Sequence, residues 1–100
     1  MTVRIQSLDG TLFDGPADAL IVPADGGLVG VRPGHAPMLV SLRPGAVRVT
    51  AGGREHVFDV RDGFADVSGD EVTIGCLDAR RRAEQPAEAP VQAPAREAGP

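Results

Sequence analysis

Hydrophobic and polar positions alternate with a period of two along most of the chain. Val3 and Ile5 alternate with Thr2, Arg4 and Gln6, and Val47 and Val49 with Ala46, Arg48 and Thr50. His56, Phe58 and Val60 share one face opposite Glu55, Val57 and Asp59; Val72, Ile74 and Cys76 share another opposite Glu71, Thr73 and Gly75. Successive side chains of a strand point to opposite faces, so these segments read as half-buried strands. Asp9-Gly10, Asp14-Gly15, Gly26-Gly27, Gly52-Gly53, Asp62-Gly63 and Gly69-Asp70 punctuate them as turns. Gly52-Gly53, between Val47–Ala51 and Arg54–Val60, is the clearest two-residue hairpin. Short strands at intervals of about 8–12 residues, with no helical period before Asp78, predict an antiparallel sandwich or barrel. We count nine strands. The sole helical segment expected is Asp78–Gln85, stopped by Pro86.

Two Pro-Gly pairs, Pro33-Gly34 and Pro44-Gly45, frame one short apolar strand. Pro presets φ at the first central position of a turn and Gly accepts positive φ at the second. The chain is therefore expected to reverse at Arg32–His35 and again at Arg43–Ala46. Pro37 interrupts the strand entry and leaves a rigid shoulder around His35.

From Ala83 onward the pattern stops. Prolines recur at 86, 90 and 94 among Ala and Glu, with one β-branched residue and no aromatic. Such a segment buries too little apolar surface to offset its ordering entropy, and it reads as a disordered or polyproline-like tail. The expected division is a domain at 1–79 followed by an Arg-rich turn and Pro/Ala/Glu-rich tail at 80–100. A domain of that size buries about 60% of its unfolded surface, enough to fold alone but only marginally.

Charge and composition exclude several functions. The net charge of −4 comes from 14 acidic residues against 10 arginines, whereas a general nucleic-acid binder carries a basic stripe. No apolar run approaches the ~18 residues of a membrane span, and Met1-Thr2-Val3-Arg4 begins no signal-peptide pattern. The single Cys76 permits no internal disulfide and suits a reducing, cytosolic compartment. The chain has no lysine, which excludes a lipoyl or biotinyl carrier modified at a hairpin lysine.

Candidate chemistry is sparse. His35, with one other His and one Cys in the chain, has no ligand set for zinc; it either fills the turn after Pro33-Gly34 or faces a partner. Gly26-Gly27-x-x-Gly30 is followed by neither lysine nor helix, so these are turn glycines rather than a phosphate cradle. Ser7, Ser41 and Ser68 sit in no nucleophile elbow. Cys76 falls on a core face as a small hydrophobe, and Arg80–Arg82 forms a solvated patch. No catalytic residues, cofactor or metal are expected. One open alternative is a free-standing β-sandwich module binding a small ligand or another protein, although three aromatics offer little stacking platform for a sugar.

Three ordered blocks carry a resemblance over about residues 3–79. The first is Ile5-Gln6-Ser7-Leu8-Asp9-Gly10-Thr11-Leu12-Phe13-Asp14-Gly15. The second runs from Ala19-Leu20-Ile21-Val22-Pro23-Ala24 through the Gly27–Gly45 stretch with its Pro33-Gly34-His35-Ala36-Pro37 core and Leu42-Arg43-Pro44-Gly45 close. The third is Gly63-Phe64-Ala65-Asp66-Val67 with Val72-Thr73-Ile74. Together they resemble the ε subunit of F-type rotary ATP synthases. The resemblance implies a flattened, antiparallel two-sheet β-sandwich of about nine to ten strands. It also implies a non-catalytic central-stalk role, coupling the γ shaft to the membrane c-ring, peripheral to the cytoplasmic face of the inner (plasma) membrane. By resemblance Asp25, Gly26, Gly27, Leu28 and Val29 face the c-ring, and Ser7, His35 and Val40 lie toward γ.

The resemblance breaks at two places. Leu28 stands where the family usually places an acidic residue, with Asp25 as the nearest substitute. Family members also continue into a two-helix hairpin, where this chain has its proline-rich tail. Leu77-Asp78-Ala79-Arg80-Arg81-Arg82-Ala83 resembles an ATP-contacting element at the start of that hairpin, but Arg82 occupies an alanine position, and ATP binding is not carried over.

Overall fold

A computed structural model describes residues 1–87. They form eight strands rather than the nine to ten expected, because β7 and β8 run on as single long strands: β1 (Thr2–Ser7), β2 (Gly10–Pro16), β3 (Ala19–Ala24), β4 (Gly27–Val31), β5 (Met38–Leu42), β6 (Gly45–Ala51), β7 (Arg54–Ser68) and β8 (Glu71–Pro86). No helix occurs among the described residues. The fold is all-β and sandwich-like. Of the tail expected to be disordered from Ala83, the first residues instead belong to β8, held by pairing with β7 from Val57↔Ala83 to Arg54↔Pro86; the rest, from position 88 on, lies outside the described residues.

Two strands of 15 and 16 residues organise the rest. β7 and β8 pair antiparallel along nearly their whole length, from Val67↔Val72 to Arg54↔Pro86. The first half of β8 also pairs with β1, and the second half of β7 with β5. The first half of β7 pairs instead with β6, which continues through β3 to β4. One sheet thus folds over on itself, giving layers β2-β1-β8-β7-β5 and β4-β3-β6-β7-β8. The β1–β8 pairing is parallel, running from Thr2↔Glu71 to Gln6↔Gly75, so the sheet is mixed rather than purely antiparallel.

The expected second reversal does not occur. β5 and β6 both pair with β7, in one register that runs from Met38↔Val67 to Leu42↔Gly63 and resumes at Gly45↔Val60. Arg43-Pro44 is therefore a break within one continuing strand path. Asp62 on β7 lies in the same interval with φ 52°, a left-handed residue at which the strand bends while its register with β8 continues from Arg61↔Asp78 to Gly63↔Cys76. Asp62-Gly63, expected as a turn, is this bend, and Asp14-Gly15 lies within β2. The first reversal does occur: His35 N donates to Arg32 O at 3.0 Å. At the tip of β6–β7, Gly52 and Gly53 have φ of 59° and 76°, the left-handed conformations that a tight hairpin demands.

The expected helix at Asp78–Gln85 is instead the far half of β8. The edge of β7 from Arg54 to Val60 would otherwise stay unpaired, and an open edge is a liability. Side chains complete the attachment. Arg81 lies 4.9 Å above the Phe58 ring centroid, Arg82 pairs with Asp59, and Arg54 Nε reaches Glu84 at 3.3 Å. The Arg82 hydrogen bond holds the Asp59 carboxyl below its ordinary value. Helix propensity is weak beside such tertiary pairing.

The core follows the alternation. Val3, Ile5, Val47, Val49, Phe58, Val60, Val72, Ile74 and Cys76 are buried together, and His56 packs its ring edgewise on Phe13 at 5.1 Å. Val57 is also buried but lies outside the core cluster. It sits on the outer face with Arg48 and Glu55, whose ion pair of 3.2 Å is joined by Gln85. Burial pushes the Cys76 thiol above its ordinary value of 9.0, with Asp78 adding to the effect.

Gly63 is the tightest position. A methyl group there would overlap the Gly75 carbonyl oxygen and lie 2.8 Å from Cys76 Cα. Backbone cannot yield as a flexible side chain would, so Gly63→Ala is expected to destabilise by about 3 kcal/mol. Thermal denaturation followed by circular dichroism checks this: Tm should fall by about 10–20 °C for a domain of this size, and an unchanged Tm would contradict the close packing.

Candidate functional site

Two open depressions flank the bend. The first is about 440 Å³ and is lined by Pro23, Ala24, Asp25, Gly26, Gly27, Leu28, Arg43 and Pro44. Its wall is the β3–β4 hairpin, whose tip is Asp25-Gly26. Pro23 has no N–H to give a ladder, but its carbonyl accepts from Arg43 N at 2.8 Å. Asp25 N in turn donates to Ser41 O at 3.2 Å. The tip is thus tied by backbone to the break between β5 and β6. Gly45 permits this approach, since a methyl there would lie 3.0 Å from Pro23 Cβ.

Five residues read from sequence as one surface, Asp25 to Val29, fall on this hairpin, and strand alternation divides them. Leu28 turns outward with 45% exposure. Val29 packs against the core. Asp25, Gly26 and Gly27 are exposed at the tip.

The second depression, about 310 Å³, is lined by Gln6, Ser7, Leu8, Asp62, Gly63, Phe64, Gly75, Cys76 and Leu77. It is mostly apolar for a physical reason. The Phe64 ring overhangs Gly75, where an added methyl would lie 3.4 Å from the ring tip. Leu8, Phe64 and Leu77 are 79%, 49% and 60% exposed, so the cluster is open to solvent. Leu39, 70% exposed, lies on the same outer face of the sheet, because its partner Asp66 and the outward Phe64 alternate with buried Ala65 and Val67.

Of the residues expected to meet a second partner, only Ser7 lines this depression, and its Oγ accepts from Asp9 N at 3.2 Å. His35 sits in the β4–β5 connection, with Nδ1 2.7 Å from Ala36 O. Val40 turns inward and packs against the core; its neighbour Leu39 is the exposed residue. Sequence reasoning missed Leu8, Leu39, Phe64 and Leu77. The available signal was parity: Ala65 and Val67 facing inward require Phe64 to face out.

Nothing gathers as a metal centre: among the described residues no three His, Cys, Asp or Glu side chains are so placed. No helix there is long and apolar enough to cross a membrane.

Comparison with known proteins shows the family of this domain. The family model of the ATP synthase delta/epsilon chain β-sandwich domain matches residues 1–82. The chain belongs to this family. It is 42% identical over 74 residues to the ATP synthase epsilon chain of Synechococcus elongatus, a match that covers 74% of this chain and 54% of that protein. The chain thus spans about half the length of the curated relatives it matches. Among solved structures it is similar to a chain of the Euglena gracilis mitochondrial ATP synthase, in an assembly of OSCP, F1 and c-ring. The TM-score is 0.73 at 27% identity, covering 79% of this chain and 51% of that one. A chain of the Tetrahymena thermophila mitochondrial ATP synthase central stalk and c-ring shares the fold, with TM-score 0.66 at 16% identity over 80% of this chain and 65% of that one. The family match extends past the expected boundary at residue 79 to Arg82, within β8.

Proposed function

We propose that this chain acts as a non-catalytic ε-type subunit of the central stalk of an F-type ATP synthase, coupling the γ shaft to the c-ring during ion-driven ATP synthesis. The observation that carries the proposal is the open apolar cluster of Leu8, Phe64 and Leu77. Exposed apolar side chains grouped in one depression mark a docking surface rather than ordinary surface scatter. In a family of stalk subunits, γ is the partner that covers it, with Ser7 at its rim and Leu39 beside it.

The second surface is the β3–β4 tip, Asp25–Leu28, which faces the c-ring. Transmission of torque asks for a stiff body between the two contacts. The double backbone tie of that tip, and the continuous register of β5, β6 and β7 beneath both depressions, supply one. His35, at the opposite end of β4 from that tip, extends the γ side. The subunit sits at the cytoplasmic face of the inner membrane through the c-ring and uses no cofactor. It turns over no substrate itself.

Co-purification tests the reading. Tagged chain expressed with γ and c-ring subunits is expected to retain both through size-exclusion chromatography. Recovery of the folded chain alone would contradict it.

A further inference from the structure

The depression at the β3–β4 tip carries a charge that the fold itself leaves unused. Arg43 is exposed on its wall, and its guanidinium pairs with none of the carboxylates of the described residues, neighbouring Asp25 and Asp62 included. Every other arginine of the described residues, except Arg32 and Arg80, has such a partner. Arg43 is also held in place: its backbone N–H is bonded to Pro23 O at 2.8 Å, and Pro44 fixes the backbone that follows. Around it the floor is apolar, formed by Pro23, Ala24, Leu28 and Pro44.

We infer that Arg43 and Leu28 together form a recognition pair for an acidic side chain carried on a protein loop of the rotor ring, the carboxylate meeting the guanidinium and the adjoining apolar atoms meeting Leu28. The inference rests on the proposed ring contact of the β3–β4 tip and gives it a specific chemistry. Guanidinium is a rigid fork matched to a carboxylate, and it is more weakly hydrated than an ammonium group, so it suits a partly desolvated contact. The surface is thus built to receive negative charge beside an apolar group. Asp25, which lines the same depression, opposes an acidic partner placed against it and so fixes the orientation of the loop.

The test is titration of the preassembled complex of this chain with γ onto detergent-solubilised c-ring, read by surface plasmon resonance. Arg43→Glu is expected to weaken binding by about tenfold or more, and Arg43→Gln by several-fold with a flatter dependence on salt. Arg43→Lys should recover most of the charge effect but less of the affinity. All three keep the backbone bond to Pro23, and unchanged γ binding reports an intact fold. If the wild-type complex binds the ring and Arg43→Glu binds equally well at low salt, the recognition pair is wrong while the proposed function stands. If the wild-type complex does not bind the ring, the ring contact and this inference fall together. Capture of the chain by anionic lipid vesicles, abolished by Arg43→Glu, would assign Arg43 to the membrane surface and also overturn the inference.

Discussion

A chain carrying Phe64→Asp and Leu77→Asp is expected to fold normally and to lose γ almost completely. Both side chains face solvent in the free chain, so the new carboxylates remain hydrated and the core beneath them is untouched. Stability should fall only modestly: Phe64 gives up its cover of Gly75, while Gly63 and the Asp62 bend beside it keep their residues. Binding is different, because docking strips water from the depression and leaves two charges without partners. Truncating one central anchor commonly costs about 2–4 kcal/mol, and burying charge adds to it. A loss of at least a hundredfold in affinity follows, since about 2.7 kcal/mol corresponds to that factor. Isothermal titration against purified γ measures it. Affinity equal to that of the unsubstituted chain, with an intact circular dichroism spectrum, would show that γ docks elsewhere.

Leu28→Asp carries the second large effect, this time at the other surface. Leu28 contributes an outward apolar group on the depression wall, opposite Pro23 in the β3–β4 pairing. An aspartate there places a carboxylate beside Arg43, consuming the charge that the ring contact uses, and removes the apolar contact as well. Loss of ring binding by about tenfold or more is expected, about 1.4 kcal/mol or above, together with weaker coupling of ATP hydrolysis to ion pumping in reconstituted vesicles. Equal or tighter binding by the variant would show that the ring presents basic groups here, and that Leu28 marks only a missing acidic contact.

Much of the fold was legible because strand periodicity is a local signal. Val3 and Ile5, Val47 and Val49, and Val72, Ile74 and Cys76 are buried as their alternation requires. The turns at Pro33-Gly34, Gly52-Gly53 and Gly69-Asp70 also hold. The failures arose where a distant strand decided the outcome. Pro44-Gly45 looks like a reversal in isolation, yet β7 pairs on both sides of it and keeps the chain running forward. Asp78 to Gln85, rich in arginine, looks helical until the vacant edge of β7 and the ring of Phe58 claim it. The resemblance named Asp25 to Val29 as one surface, but not which of these residues project from the β3–β4 hairpin. The apolar depression went unread because it joins the end of β1 to β7 and β8, which lie far along the chain from it, and no local pattern brings Leu8 to Phe64.

The central claim is that two faces of one rigid body hold two different rotor parts at once. Cysteines placed singly at Leu28 and Leu77 test it through a short bifunctional cross-linker in the assembled enzyme. Native Cys76, buried with its thiol pKa raised, stays largely unreactive under the same conditions. Adducts from position 28 with the c-ring and from position 77 with γ are the predicted result. Adducts of both positions with a single subunit, or with neither γ nor the ring, would contradict the account.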